Sequence, residues 1–252
     1  MENQKNDPVD ILAFSPHPDD VELGCGGSLI LAADRGLRVA VADLTAGEMS
    51  GRGTPAQRAG EAEAAAGLLG LSARLALAWP DTKIGADPAH RPALIRLIRQ
   101  TRPRLVLAPY WEDRHPDHRA AGALIREACF YAGVARMGEG APHRPQQLFF
   151  YMIHSPFEPS FIIDVSPVWE RRMAAVRAYQ SQFYATEAGP ATAISQPEFL
   201  RSLEARAIWF GALIGAAYGE PFFSQGPLPH KEFPGLDDSP RPGLLPPYRA
   251  IG

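Results

Sequence analysis

Four short, almost continuously apolar runs constrain the fold of this chain more than any other feature. They cover residues 10–15, 38–44, 74–79 and 104–110. A strand that is covered on both faces has this composition, whereas a strand with one face in water alternates apolar and polar residues. Segments with helical patterns separate the runs, and the order strand–helix–strand predicts parallel pairing with right-handed crossovers. We therefore predict an α/β fold, in which helices cover both faces of a mostly parallel sheet.

Helix start and stop signals divide the segments between these runs. Thr54 suits the N-cap and Pro55 the first position of a helix that Gly70 ends. Pro116 stands near the start of another helix, and Gly133 follows its end. The predicted helices of this part span residues 26–35, 54–70, 92–102 and 116–132.

The pattern changes after residue 145. The runs QQLFFYMI and SFIIDV predict two further strands, which could add to the sheet as a pair. A helix is expected over SPVWERRMAAVRAYQSQF, then a polar loop at about 185–197 and a last helix at about 197–217. Residues 220–252 are rich in Pro and Gly and show little periodicity. We expect one domain over residues 1–219, followed by an extended tail that packs on the surface or on a neighbouring subunit.

Composition and charge argue against several classes of partner. The 252 residues are 46% hydrophobic, which is enough for one sizeable core. A net charge of −3 without a Lys/Arg block disfavours nucleic acid and anionic membranes. The N-terminal segment lacks a signal-peptide core, and the apolar stretch 207–218 is too short to span a bilayer. Two cysteines without a C-x-x-C motif suit a reducing cytoplasm.

Two similar motifs follow two of the predicted strands. HPDD, residues 17–20, follows the first run, and WEDRHPDH, residues 111–118, follows the fourth. Each places a histidine and a second candidate ligand three residues apart around a proline that stiffens the turn. In an open parallel sheet, ligands bind beyond the carboxyl ends of the strands. One such motif alone could be a helix cap, but the pair predicts a single chemical site.

These motifs contain the donor atoms of a catalytic metal centre. His17, Asp20 and His118 would supply two imidazoles and a carboxylate, which suits zinc with an open position for water. The same ligands could bind Fe²⁺ or Co²⁺. The motifs also contain Asp19, His115 and Asp117. A spare carboxylate could act as a general base, and a second histidine could donate to an oxyanion or protonate a leaving nitrogen. Asp117 could orient that histidine. The full ligand set stays open at this point.

Charged residues near these motifs suggest how a substrate could be held. Arg58 lies in the first turn of a predicted helix, where a cation opposes the helix dipole. It either pairs with Glu61 or Glu48 on the surface or binds an anionic substrate group. Arg114 and Arg144 complete a set of three arginines that would favour a substrate with carboxylates. Glu48 could hold sugar hydroxyls or cap a turn.

The motifs resemble those of a known family. AFSPHPDDVELGCGG, EDRHPDH and YQSQF are similar to sequences of the LmbE/PIG-L zinc deacetylases, and most similar to the bacillithiol-biosynthesis branch. The resemblance covers about residues 10–218. It implies a Rossmann-like three-layer sheet with extra C-terminal strands and helices, a hydrolytic metal that is usually zinc, and homo-oligomers that are often hexamers.

The resemblance also implies roles for the site residues. The metal ligands of the family match His17, Asp20 and His118. Asp19 matches the general base, and His115, supported by Asp117, matches the residue that stabilises the oxyanion or acts as an acid. The positions that line the substrate pocket match Arg58, Arg114 and Arg144. Pro16, the loop 49–54 and the tail after Glu220 depart from the family pattern.

The predicted protein is a cytoplasmic zinc hydrolase that removes acetyl from a GlcNAc conjugate. The preferred substrate is N-acetylglucosaminyl-malate, with the arginines on the malate carboxylates. One alternative keeps the chemistry and changes the substrate to another N-acetylated amino sugar or amide. A second alternative is a non-catalytic, Rossmann-like nucleotide-binding module, which would hold no metal tightly.

Overall fold

The computed structural model describes residues 8–184 and 190–229. Its strands are β1 (Ile11–Ser15), β2 (Val39–Thr45), β3 (Ala73–Trp79), β4 (Leu105–Pro109), β5 (Gln147–Tyr151), β6 (Phe161–Asp164) and β7 (Gly219–Phe223). Its α-helices are α1 (Asp20–Gly24), α2 (Gly26–Asp34), α3 (Pro55–Leu69), α4 (His90–Thr101), α5 (Pro116–Ala132), α6 (Trp169–Arg177), α7 (Gln180–Phe183) and α8 (Pro197–Ile214).

All seven strands form one mostly parallel sheet in the order β3-β2-β1-β4-β5-β7-β6. β1 pairs in parallel with β2 on one side and β4 on the other, and β2–β3 and β4–β5 are also parallel. β7 pairs antiparallel with both β5 and β6, so it runs opposite to the other strands of the described residues. The predicted fold class is therefore confirmed.

Two apolar clusters, one on each face of the sheet, form the core. Within β1, Ile11 and Ala13 belong to one cluster, and Leu12 and Phe14 to the other. Side chains of a strand alternate between its faces, so a run that is apolar throughout feeds both clusters. One cluster includes residues of α1, α2, α3, α6 and α8, and the other includes residues of α4 and α5. This arrangement fixes β1 and β4 side by side at the centre.

The predicted helix signals act as expected at two helices. The Thr54 hydroxyl accepts from the Gln57 N–H at 3.2 Å, and Gly70 ends α3 with a left-handed φ of 72°. Pro116 occupies the first turn of α5, where its missing N–H leaves no bond unmade. Both helices begin just after a sheet strand or its loop, so their N-termini lie near the carboxyl edge of the sheet.

The C-terminal part differs from the prediction. β5 joins the parallel part of the sheet, and β6 pairs with β7 and not with β5. β7 covers residues 219–223, at the boundary between the predicted domain and the predicted tail, because Gly219 and Pro221 weaken its strand signal in the sequence. In the sheet it lies between β5 and the edge strand β6. Residues 230–252, the rest of the predicted tail, lie outside the described residues. In the part that the structure does describe, we find no helix with the length and hydropathy needed to cross a bilayer.

Candidate active site

The two histidine motifs meet in a pocket at the carboxyl edge of the sheet. β1 and β4 are neighbours, so the residues that follow them come together. The pocket has a volume of about 330 Å³, and residues from both motifs line it together with the segments after β2 and β3. Thr192, Ala193 and Ile194 form part of the opposite wall. The geometry joins sequence segments that are about a hundred residues apart.

Asp19 stands in a strained backbone conformation at the edge of this pocket. Its φ is 121°, a value that a non-glycine residue rarely adopts. Such strain persists only where the surroundings enforce it, and it is concentrated at functional sites. Burial raises the pKa of Asp19 to about 7, against the opposing effect of the Arg58 guanidinium. The side chain is buried and lies 3.4 Å from Arg58 Nη2.

Three donor atoms of the motifs converge on one point. His17 Nδ1 lies 3.1 Å from Asp20 Oδ2, and His118 Nε2 lies 3.2 Å from the same oxygen. Ligands of one tetrahedral zinc ion, each about 2.0–2.2 Å from it, are roughly 3.3–3.6 Å apart. The observed separations therefore need only small adjustments for the three atoms to share an ion. Two imidazole nitrogens and a carboxylate oxygen also match the donor types that zinc and related divalent metals take.

Carboxylates hold the far nitrogens of the two candidate ligands. His17 Nε2 lies 3.2 Å from Asp81 Oδ1 and 3.3 Å from Asp117 Oδ2. His118 Nδ1 lies 3.1 Å from Asp113 Oδ1. Carboxylates that bind the second nitrogen of a histidine ligand fix its ring and its tautomer. Both histidines thus have the outer partners that a metal-binding imidazole needs.

Two overlapping groups of side chains also converge closely enough to hold a metal. They are His17–His115–Asp117 and Asp113–His118–His154. Their carboxylates, however, already accept backbone N–H groups: Asp117 from Thr82 at 2.9 Å, and Asp113 from residues 115, 154 and 155. Asp20 also accepts one backbone N–H, that of His17, but its Oδ2 lies within 3.2 Å of ring nitrogens of both His17 and His118. Asp20 is therefore the carboxylate best placed to share a metal with two imidazoles.

The site concentrates negative charge away from water. Five carboxylates of the site are buried, namely those of Asp19, Asp20, Asp81, Asp113 and Asp117. Buried charges are costly unless cations or metals balance them. Burial lowers the pKa of His118, but Asp20 and Asp113 outweigh it and raise that pKa to about 9. Burial opposes the ionisation of Asp20, yet His118 and His17 outweigh it and hold its pKa well below the usual range. The site thus favours positive charge at the point where the donor atoms converge.

Two more histidines line the pocket beside these ligands. Burial, assisted by His118 and His17, lowers the pKa of His115. His115 Nδ1 accepts the Asp117 backbone N–H at 3.2 Å, so the neutral ring carries its proton on Nε2 and can donate from there. The ring of His154 stacks on that of His118 with 5.3 Å between centroids. Burial lowers the pKa of His154 to about 4.

The structure corrects part of the predicted support and substrate contacts. The Asp117 carboxylate contacts His17, so it does not orient His115 in the predicted manner, and its backbone N–H does so instead. Arg58 is buried and donates to the carbonyls of Gly47 and Pro18 as well as to Asp19. These bonds hold the loops around Asp19. They do not have the form of a clamp that is free for a substrate carboxylate.

The other predicted substrate residues occupy three different places. Arg114 lines the pocket. Glu48 Oε1 accepts the Asp81 N–H at 2.6 Å, which fulfils the turn-capping alternative. Arg144 lies beyond the C-terminal end of α5, where its guanidinium stacks on Phe130 at 4.7 Å and donates to the Phe130 carbonyl. His118 is in the first turn of that 17-residue helix, so roughly 20 Å of helix separates Arg144 from the site. Arg144 is therefore not among the residues that the structure brings to this pocket.

Several residues of the site were missed in the sequence. They are Asp81, Asp113, His154 and Gln182. Asp113 lies within the second motif, and Asp81 follows β3 in WPDT, at the same edge of the sheet. The rule that parallel strands end at one edge could have identified both. Gln182 lies within the YQSQF segment that carries the family resemblance, but that resemblance assigned it no role. His154 has no comparable local signal, because tertiary packing brings it to the pocket.

The fold and the site together define an α/β protein with a candidate metal centre at the carboxyl edge of its sheet. The family described as PIG-L, GlcNAc-PI de-N-acetylase, matches residues 12–129. Diacetylchitobiose deacetylase of Thermococcus kodakarensis is 32% identical over 231 residues, which cover 85% of this chain and 82% of the relative. The chain therefore belongs to the PIG-L/LmbE family of deacetylases.

Solved structures agree with this assignment. A conserved protein of Thermus thermophilus is 40% identical, with a TM-score of 0.82, and the match covers 89% of this chain and 98% of that one. N,N′-diacetylchitobiose deacetylase from Pyrococcus horikoshii is 27% identical, with a TM-score of 0.74 over 86% of this chain and 82% of that one.

Two more distant relatives carry other names. A probable N-acetyl-α-D-glucosaminyl L-malate deacetylase 2 of Bacillus cereus is 27% identical over 68% of this chain and 83% of the relative. A 4-oxalmesaconate hydratase of Pseudomonas putida is 29% identical over 68% of this chain and 73% of the relative. Similarity to the family thus extends to a protein named for a different reaction. The residues of the site, and not overall similarity, therefore decide which reaction suits this chain.

Proposed function

We propose that this protein is a metal-dependent amidase that removes the acetyl group from an N-acetylglucosamine conjugate. The observation that carries the proposal is the convergence of His17, Asp20 and His118 beside Asp19, whose backbone is strained and whose carboxylate is buried. This arrangement supplies a metal position and a separate proton acceptor within one pocket. A site for hydrolysis of an unactivated amide needs both.

The candidate ligands fit a divalent metal in donor type, in spacing and in outer partners. A divalent ion held by His17, Asp20 and His118 would lower the pKa of a water molecule to about 7 and polarise the acetyl carbonyl. We propose zinc, and the same donors also suit Fe²⁺ or Co²⁺. Asp81 and Asp117 keep the His17 ring in place, and Asp113 does so for His118.

Asp19 is the proposed general base. It accepts a proton from the water that attacks the acetyl carbon, and a base in this role contributes about 10²–10⁴-fold to the rate. Arg58 holds its carboxylate, and the burial that raises its pKa makes it a better proton acceptor than an exposed aspartate. When the C–N bond breaks, Asp19 returns the proton to the departing nitrogen. The products are acetate and the free amine.

His115 is the proposed donor to the oxygen that becomes negative during attack. Its Nδ1 is occupied by a backbone N–H, which leaves Nε2–H to donate. The lowered pKa keeps the ring neutral near pH 7, so its proton stays available as a hydrogen-bond donor. Donors placed where charge develops stabilise the transition state more than the substrate.

A neutral glycoside is a better substrate candidate than the malate conjugate. A malate conjugate would need several arginines free to bind its carboxylates. Arg58 donates to buried groups of the protein and Arg144 lies at the far end of α5, which leaves Arg114 of the predicted three at the pocket. The two diacetylchitobiose deacetylases also cover more of this chain than the malate deacetylase does. We therefore propose a GlcNAc glycoside of the diacetylchitobiose type. The homo-oligomeric state and the cytoplasmic location remain predictions from the sequence.

The test is acetate and free-amine release by metal-loaded protein from N-acetylglucosamine, N,N′-diacetylchitobiose and N-acetylglucosaminyl-malate. We expect the highest kcat/KM on the disaccharide. A clear preference for the malate conjugate would overturn the substrate proposal and keep the chemistry. Absence of release from all three, together with hydration of an unsaturated dicarboxylate, would place the chain with the hydratase relative instead.

A further inference from the structure

A second chamber opens beside the candidate active site. Its volume is about 520 Å³, and it shares four lining residues with the catalytic pocket, namely Leu23, Arg114, His154 and Ala193. The first turns of α8 close its far side. The two cavities are therefore neighbours, and a substrate whose acetamido group is in the catalytic pocket can extend toward this chamber.

The chamber is lined by an aromatic ring, apolar side chains and a few polar groups. Phe199 is fixed on one side by Phe183, whose ring stacks on it at 5.7 Å with an interplanar angle of 4°. Leu23, Ile153 and Leu203 supply apolar surface, while Glu198 and Ser202 bring polar groups. Ligand pockets with mainly apolar walls and a few polar groups hold small organic molecules by packing and orient them by hydrogen bonds. A sugar ring offers the same combination of C–H faces and hydroxyl edges.

The charged side chains of the chamber offer hydrogen-bond donors and acceptors to an occupant. The terminal nitrogens of Arg206 donate to the carbonyls of Ile153 and Leu23, so this guanidinium is part of the wall. Arg206 keeps its positive charge, because the carbonyls that accept from it are neutral. Arg114 is a second cation of the lining, and Glu198, the carboxylate among the lining residues, lies 3.9 Å from Arg201. The hydroxyls of a sugar ring can accept hydrogen bonds from Arg114 and donate them to Glu198.

The spacing of the rings in the two cavities suits a ligand longer than one sugar. The His154 ring lies 5.3 Å from that of the candidate ligand His118 and 6.5 Å from that of Phe199. Two ring-to-ring steps therefore lead from the candidate metal position to Phe199. A single N-acetylglucosamine that reaches the metal position with its acetamido group would leave the far part of the chamber to the next unit.

We infer that this chamber, lined by Phe199 and Ser202, binds the second, uncharged sugar ring of the substrate. The inference rests on the proposed function and names the part of the substrate that determines specificity. Phe199 and Ser202 are specificity-determining residues in this account. They contact the unit that leaves with the amine and take no part in the chemistry.

The test fills the chamber and compares two substrates. Ser202→Trp places an indole in the chamber, and Glu204→Trp places the same indole on an exposed position of α8 outside its lining. We expect Ser202→Trp to lower kcat/KM on N,N′-diacetylchitobiose at least tenfold and to change kcat/KM on N-acetylglucosamine less than twofold. Glu204→Trp should change neither. Phe199→Leu keeps apolar bulk without a flat ring, and serves if Ser202→Trp fails to fold; it should show the same selective loss.

Equal effects on both substrates, or no effect on either, would overturn the inference. The inference would also fail if the malate conjugate proves the better substrate and Ser202→Trp lowers kcat/KM on it as much as, or more than, on the disaccharide. If wild-type protein releases acetate from none of these compounds, the proposed function fails, and calorimetric binding of the disaccharide decides about the chamber. Binding that Ser202→Trp abolishes and Glu204→Trp retains would support the chamber alone. Absent or unchanged binding would refute it.

Discussion

Asp113→Asn should loosen the candidate metal centre without changing the size of any side chain. The carboxylate of Asp113 accepts four hydrogen bonds. Oδ1 accepts from the His115 N–H at 2.8 Å and from the His118 ring at 3.1 Å, and Oδ2 accepts from the backbone N–H groups of His154 and Ser155 at 2.9 and 3.1 Å. An asparagine has only one oxygen, so its NH₂ group must face one of these pairs of donors.

The expected magnitude follows from that count. Two of the four bonds are replaced by contacts between donors, and a buried polar group that loses its partner costs about 1–3 kcal/mol. For two such groups we expect the free energy of unfolding to fall by about 2–6 kcal/mol. Loss of the carboxylate behind a histidine ligand lowers metal affinity by about 10–100-fold. Metal affinity should therefore decrease by that factor, because the His118 ring is no longer held by a charge.

The assay is a competition titration of zinc against a chromogenic chelator, combined with denaturant unfolding of the metal-free protein. Asp87→Asn is the matched control, since Asp87 also accepts a backbone N–H, from Ala89 at 2.8 Å, but on an exposed turn outside the site. It should leave the metal affinity unchanged. Metal affinity within twofold of wild type in Asp113→Asn would refute the reasoning about this carboxylate.

Three further predictions concern residues around the site. Arg52→Ala should raise KM at least fivefold and leave kcat within threefold in acetate-release assays. The buried Arg52 guanidinium holds the pocket loops together by donating to the carbonyls of Ser181, Tyr184 and Pro190. An unchanged KM would contradict this. Arg144→Ala should keep kcat/KM within twofold, and a tenfold loss would return that arginine to the substrate site. Burial raises the pKa of Cys129 to about 12, so this thiol should resist iodoacetamide at pH 8 until denaturant unfolds the chain, as mass spectrometry can show; rapid labelling of the native protein would contradict its burial.

The central part of the fold could be predicted because its strands are apolar on both faces. β1 contributes Leu12 and Phe14 to one cluster and Ile11 and Ala13 to the other, so its sequence shows neither a solvent face nor a helical period. β7 lacks that signature. It is antiparallel, includes Pro221 and pairs with strands that precede it by more than fifty residues. Only long-range packing places it in the sheet.

The candidate metal ligands could be predicted for a similar reason. HPDD and HPDH follow two strands, and the sheet order brings these strands together. Arg58 and Arg144 show the limit of this argument. Both have the charge that an anionic substrate needs. Arg58, however, donates to buried carbonyls, and Arg144 stacks on Phe130 near the C-terminal end of α5. Charge and sequence proximity do not reveal which partner an arginine finds, whereas the end of a strand does fix where the next residue lies.

Metal dependence of acetate release, measured together with the variant Asp19→Asn, shows whether a bound metal and the Asp19 carboxylate are both required for hydrolysis. Protein stripped of metal should release no acetate from N,N′-diacetylchitobiose, and one equivalent of a divalent metal per chain should restore the release. Asp19→Asn should bind one equivalent with unchanged affinity and lose activity by about 10²–10⁴-fold. Full activity in the metal-free protein, or a variant at Asp19 that turns over at the wild-type rate, would contradict the account.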